Sequence, residues 1–251
     1  MRVAVIIPAR MASTRLPGKP LLDIGGKPMV WRVYEQASQA RGIDEVWVAT
    51  DDQGVINAVE GLGGKALMTS PGCASGTDRV AEAAEKIRAD IYVNIQGDEP
   101  MIPPALIEQT IAPMLEDPSI YIATAATPIG VAEEIFDPSN VKTVLDENGF
   151  AMYFSRAPIP YHRDEWRNRT FAGGKCLKHI GIYAYRREFL FKFTKLPRTG
   201  LEQVEKLEQL RALGHGYKIK VSVTELNSLG VDTPKDLDVI RHLFSEEQKH
   251  G

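Results

Sequence analysis

A short apolar strand that runs straight into a cationic loop is the feature that most narrows the folds open to this chain. Val3-Ala-Val-Ile-Ile7 is rich in β-branched residues and ends at Pro8, the pattern of a parallel strand buried on both faces. Arg10, Arg15 and Lys19 follow, in a loop bounded by prolines and carrying one glycine, Gly18. Open α/β sheets bind ligands where loops leave the carboxyl ends of their strands. Guanidinium and ammonium groups gathered there suit a polyanion, most simply a triphosphate. The loop is not a P-loop, because Gly18-Lys19 runs into Pro20 and lacks the hydroxyl that holds magnesium. A solvated basic loop is the plainer reading for any one of these cations, and a weaker one for all three behind this strand.

The 251 residues allow one large domain, or one with an appended subdomain. A net charge of −3 argues against a general nucleic-acid binder, which is normally basic, but permits a local cationic pocket for a small anion. Cys73 and Cys176 are single and far apart, so neither a zinc site nor a disulfide framework is indicated. The apolar run at the start is too short for a signal peptide, and no stretch approaches a membrane span. A cytoplasmic protein with no membrane insertion is expected.

Strand and helix patterns alternate through the first half. Helices are expected over 29–41, 55–62 and 75–87, and strands over 45–50, 65–68, 90–95 and 121–126. That order predicts an α/β fold: a mostly parallel open sheet with flanking helices and right-handed crossovers. The second half changes character. Val141–Leu145 and Ala151–Phe154 flank Asp146-Glu-Asn-Gly149, a hairpin signal that marks an inserted antiparallel region. A polar loop follows at 163–175, expected to be mobile or at an edge. A strand is expected over 180–185, one helix over 201–213, a strand over 218–223, and a last helix after Thr233-Pro234-Lys235-Asp236. The change of character allows an internal boundary near residue 130, within one fold that carries the inserted antiparallel region.

Ile95-Gln96-Gly97-Asp98-Glu99 delivers an acidic pair to the sheet edge that carries the cationic loop. One or two carboxylates beside a triphosphate are how magnesium is held, with Asp98 the better candidate and Glu99 equally a turn residue. Asp232, just before the last helix, reads either as a favourable charge at the helix N-terminus or as a second ligand. Ser75-Gly-Thr-Asp-Arg79 offers hydroxyls and helix N-terminal amides to a base or phosphate, and is also an ordinary helix start. Arg156 can grip a carboxylate, although an arginine after a strand is commonly a surface residue. His179 reads equally as a structural edge histidine. Glu205, Glu208 and Arg211 read first as a solvated helix face.

These segments, with Lys178-His-Ile-Gly-Ile-Tyr-Ala-Tyr-Arg186, Leu207-Glu-Gln-Leu-Arg211 and Gly230-Val-Asp-Thr-Pro234, resemble the 3-deoxy-manno-octulosonate (Kdo) cytidylyltransferases, or CMP-Kdo synthetases. The resemblance runs in order from residue 3 to about 240. It implies a nucleotide-diphospho-sugar transferase-like, Rossmann-like fold forming one nucleotidyltransferase domain over 1–251, with a sugar-binding and dimerisation subregion at about 130–200. It further implies a homodimer, Mg2+, and the reaction of CTP with Kdo to give CMP-Kdo and pyrophosphate for lipopolysaccharide or capsule synthesis. Activation of another 2-keto acid sugar, such as 8-amino-Kdo, is the close alternative; intact Lys19, Asp98 and Asp232 argue against a merely nucleotide-sensing module. On this resemblance Arg10, Arg15 and Lys19 hold the phosphates, and Asp98 and Asp232 hold the metal. Ala9, Ser13, Ser75, Arg79 and Gln96 line the cytidine side, and Arg156, His179, Tyr183, Glu208 and Gln209 meet the sugar, with Arg156 on its carboxylate.

Overall fold

The N-terminal apolar run folds as β1 (Val3–Ala9), with Val5, Ile6 and Ile7 fully buried. The computed structural model describes residues 1–12, 16–164 and 176–250, with side chains through residue 246. The chain groups into two units, Met1–Glu108 with Ser228–Gly251, and Gln109–Asn227. The subregion expected at 130–200 falls inside the second.

After β1 the first unit continues with a small hairpin of β2 (Asp23–Ile24) and β3 (Lys27–Pro28), then α1 (Met29–Ser38) and β4 (Glu45–Thr50). Next come α2 (Gln53–Glu60), β5 (Ala66–Met68), α3 (Gly76–Lys86), β6 (Ile91–Asn94) and the start of α4 (Pro104–Glu116), whose residues from Gln109 onward belong to the second unit. The sequence patterns do not announce α4, which carries Pro113 within it. The strands lie in the order β6-β1-β4-β5, all parallel. Met29, Val30, Val33 and Ala37 give α1 a fully buried stripe, and Val80, Ala83 and Ala84 do the same for α3.

The crossover through α1 leads from β1 to β4 on one side, whereas α3 leads back to β6 on the other. The strand order therefore reverses between β1 and β6, and their carboxyl ends form the crevice where open sheets bind ligands. The C-terminal helix (Pro234–His250) is fixed beside this crevice. Thr233 caps it, accepting from Asp236 N at 3.3 Å while Asp236 Oδ2 accepts from Thr233 N at 2.7 Å. Leu237, Ile240 and Phe244 pack with Leu16, Ile24 and Met29 in one apolar cluster.

The second unit contains β7 (Ile122–Pro128), α5 (Ala132–Phe136), β8 (Lys142–Leu145), β9 (Ala151–Ser155) and β10 (Leu177–Arg186). It then runs through α6 (Arg187–Phe193), α7 (Gly200–Glu205), α8 (Gln209–Gly214) and β11 (Lys220–Val223). β8 and β9 form the expected hairpin, turning at Gly149 with φ +74°. β10 runs antiparallel to β7 and β8, and β11 parallel to β7. This is the antiparallel region the sequence foretells.

The expected single helix over 201–213 does not form. The stretch holds two helices, α7 and α8, broken at Lys206, which is left-handed at φ 55°. The break folds α8 back so that Arg211 meets Glu202 in two hydrogen bonds of 3.0 and 2.6 Å, both side chains buried. Arg211 is therefore not part of a solvated face. A buried carboxylate left unpaired would be costly, and the bidentate guanidinium removes that cost.

Candidate active site

The first unit carries a cavity of about 510 Å3 at the carboxyl ends of β1 and β6. Pro8, Ala9 and Arg10 line it from β1, and Gln96, Gly97 and Asp98 from the loop after β6. Gly97 is required there. A Cβ on it would stand 2.9 Å from the Pro8 carbonyl oxygen, so only glycine lets the loop lie against the end of β1.

Lys19 sits at the edge of this cavity, its side chain 13% exposed, in the turn that follows Gly18. Its ammonium donates to Asp98 Oδ2 at 2.5 Å and to Asp232 Oδ1 at 3.1 Å. Three groups far apart in sequence thus share one point. Val231 N donates to Asp98 O at 2.9 Å, which fixes Asp232 beside Asp98. The two carboxylates around one cationic point are a donor set suited to a hard cation, which takes one or two carboxylates with phosphate and water oxygens. Among the described residues, no group of three or more His, Cys, Asp or Glu side chains gathers as a metal cluster.

Glu99, the other half of the acidic pair, turns away. Its Oε2 is buried with no hydrogen bond. Burial lifts its carboxyl to about 7; the adjacent Ser228 hydroxyl opposes the rise and the Asp98 charge adds to it.

The opposite wall is the start of α3. Ser75 lines the cavity and also caps the helix, accepting from Asp78 N at 3.1 Å. Both roles the sequence allowed are therefore compatible. Arg79 lines the cavity but is buried, with Nη2 on Asp51 Oδ2 at 2.8 Å and Nη1 on Thr69 Oγ1 at 2.5 Å. Sequence reasoning missed Asp51 as its partner, and Cys73 as a lining residue. Ser13, Arg15 and residues 165–175 of the polar loop lie outside the described residues.

The sugar-side candidates belong to the second unit, and most are tied into its interior. Arg156 donates from Nε to Glu205 O and from Nη1 to Pro138 O, each at 2.9 Å. Glu205 in turn accepts from Ser155 Oγ at 2.6 Å and Arg156 N at 3.0 Å. His179 Nε2 lies 2.9 Å from Thr124 Oγ1, and its ring meets Phe154 edge-on at 5.0 Å. Burial drops the His179 pKa to about 3, so the ring is neutral. Tyr183 lies 5.3 Å from that ring, its hydroxyl pushed well up by burial and by the nearby Tyr185 and Glu208. Glu208 is 3.3 Å from Arg211, and Gln209 is buried at the start of α8.

Residues 4–219 match the family model described as cytidylyltransferase. The 3-deoxy-manno-octulosonate cytidylyltransferase of Geobacter sulfurreducens is 51% identical over 96% of this chain and 98% of its own length. Among solved structures, a CMP:2-keto-3-deoxy-manno-octonic acid synthetase complexed with CTP is 48% identical and superposes with a TM-score of 0.92, covering 98% of this chain and 100% of that one. A cytidylyltransferase from Leptospira borgpetersenii, 18% identical with a TM-score of 0.65 over 98% of this chain and 87% of that one, shares the fold alone. The pocket at the β1/β6 reversal and these full-length matches lead to one assignment: the chain belongs to the cytidylyltransferase family, with the 3-deoxy-manno-octulosonate cytidylyltransferases.

Proposed function

We propose that this protein activates Kdo with CTP, giving CMP-Kdo and pyrophosphate. The C2 hydroxyl oxygen of the sugar bonds to the α-phosphorus as its proton passes to solvent, the bond from the α-phosphorus to the bridging oxygen breaks, and pyrophosphate leaves with that electron pair. The observation that carries this reading is the Lys19 ammonium held between Asp98 and Asp232 at the edge of the cavity. Phosphoryl transfer is largely positioning and charge neutralisation, and these are the groups that supply both.

Lys19, with Arg10 and Arg15, holds the β- and γ-phosphates and stabilises the leaving pyrophosphate. Mg2+ bound at Asp98 and Asp232 would neutralise phosphate charge and acidify the sugar hydroxyl. Ala9, Ser13, Ser75 and Gln96 receive the nucleoside, with Arg79 behind them on Asp51 and Thr69. Arg156 has N–H donors beyond the two bound to carbonyls, and these are available to the sugar carboxylate. His179, neutral, acts as a hydrogen-bonding wall beside Tyr183, while Glu208 and Gln209 take sugar hydroxyls.

We further assign a homodimer and a cytoplasmic place. Phe136, Met152, Leu201 and Val204 of the second unit are 59%, 65%, 52% and 80% exposed, an apolar set suited to a second copy. No helix among the described residues is long and apolar enough to cross a membrane.

The test is pyrophosphate release with CTP and Mg2+ against a panel of Kdo, 8-amino-Kdo and a sialic acid. Release with Kdo in strong preference is expected. Release only with another sugar would overturn the substrate, and undiminished release after chelation of Mg2+ would overturn the metal. Light scattering reads the dimer.

A further inference from the structure

The strap between β5 and α3 forms one side of the nucleotide cavity, which Cys73, Ala74 and Ser75 line. Internally it is loosely held: Cys73 N reaches Ser70 O at 3.4 Å, and Gly72 N reaches Ser70 Oγ at 3.0 Å. Thr69 ties its start to β4, donating to Thr50 O from N at 2.8 Å and from Oγ1 at 3.0 Å; its other anchors come from one face of α3, where Arg79, Glu82 and Lys86 stand at helical spacing. Lys86 Nζ donates to Met68 O at 3.1 Å, and Arg79 Nη1 donates to Thr69 Oγ1 at 2.5 Å. Glu82 takes the next two points. Its Oε1 accepts from Ser70 N at 2.8 Å and its Oε2 from the Cys73 thiol at 3.1 Å. The phosphate-binding charges line the cavity elsewhere, so the uncharged lining of Cys73–Gly76 and Gln96 is the part suited to a base.

We propose that Glu82 is a positioning residue for base recognition: by tying Ser70 and Cys73 to α3, it fixes the strap backbone that distinguishes cytosine from uracil. The two bases exchange donor for acceptor at adjacent ring positions. A backbone group reads that difference only if it cannot turn or retreat. A strap with one 3.4 Å internal bond at Cys73 lacks that rigidity by itself. The Glu82 carboxylate supplies it from a rigid helix, one oxygen to each end of a four-residue span. Burial, followed by the Glu82 bond and charge, pushes the Cys73 thiol up to about 11, so it stays an S–H donor at neutral pH.

The inference rests on the reading of this cavity as the CTP site, and the experiment separates the two. Glu82→Gln presents an amide N–H to one of the two donors. It should lower the CTP-over-UTP ratio of kcat/KM about 10-fold, mainly through a higher CTP KM, with the Kdo KM unmoved. Cys73→Ala should lower the ratio by about 3-fold or more, and Cys73→Ser, which restores an O–H donor to the same carboxylate, should recover most of it. CTP should also slow hydrogen–deuterium exchange of the backbone amides over 70–75, read by mass spectrometry without turnover, with the buried strand β7 as the internal reference. A lower melting temperature with an unchanged CTP-over-UTP ratio would overturn the proposal, leaving Glu82 a fold anchor only. The proposal fails equally if Cys73→Ala and Cys73→Ser behave alike, a comparison that stands even if Glu82→Gln does not fold. No added protection of residues 70–75 in an enzyme that turns over CTP would remove the strap from the nucleotide. Absence of CTP turnover in the unaltered enzyme would instead sink the functional reading.

Discussion

In the first unit Lys19, Asp98 and Asp232 come from segments as far as 213 residues apart and meet at the edge of a cavity. In the second unit Glu202 and Arg211 meet in the interior, while Arg156 and Glu205 bind one another and nearby carbonyls. The first arrangement leaves charge facing a cavity. The second satisfies charge internally and converts it into rigidity. Residues of similar type in equally suggestive motifs thus divide between the edge of a cavity and the framework, and only their partners tell which.

The sharpest way to break that comparison is at Arg211. Arg211→Met leaves Glu202 buried without its bidentate partner, and should cost about 3–5 kcal/mol in denaturant unfolding. A loss within about 1 kcal/mol would show that the pair is not a framework element, since that is the range of exposed pairs.

Next in size is the cavity edge. Asp98→Asn and Asp232→Asn should each cut turnover at least ~10²-fold at saturating Mg2+ while leaving the fold intact, as losing transition-state charge stabilisation requires. Both side chains are partly exposed, at 33% and 55%, so folding does not depend on them. Turnover like that of the unaltered enzyme in either variant removes that residue from the reaction.

Arg156 sits between the two behaviours. Arg156→Lys keeps the charge but loses the planar fork, so the Kdo KM should rise about 10-fold with CTP binding hardly changed. If the melting temperature falls while the Kdo KM stays put, Arg156 belongs wholly to the framework, through Glu205 O and Pro138 O.

The effect that vanishes at neutral pH, and is smallest there, is at His179. Its folded pKa, about 3, lies below the ordinary 6.5, so the unfolded chain binds the extra proton first as pH falls. Stability from this group is full above about pH 6.5 and declines towards pH 3, with a limiting slope of about 1.4 kcal/mol per pH unit. His179→Gln should flatten that part of the curve by one proton. An unchanged slope between pH 4 and 6 would mean that His179 titrates normally in the folded protein.

Much of the fold is legible in the residues alone. The β-branched run of β1, the hairpin turn at Asp146–Gly149 and the Thr233 cap are local chemistry, and each stands where its residues put it. The cation loop and the acidic pair can be placed at one sheet edge by strand polarity alone. The helix pattern over 201–213 misleads, because its apolar spacing continues through Lys206 while the buried Glu202–Arg211 pair requires a break. No local signal reports a pairing of that kind. Cys73 is equally silent, since its carboxylate partner lies on the next helix.

Residue order alone sets the alternation of strands and helices, the polarity that sends the cationic and acidic loops to one edge, and the residue types able to handle a triphosphate. Packing alone settles which carboxylates share Lys19, that Arg79 is committed to Asp51 and Thr69, and that Glu82 holds the strap at the cavity. The physical reason is range. Backbone preference and hydrophobic period act over a few residues, whereas a charge is assigned its role by whichever opposite group packing brings within about 3 Å of it.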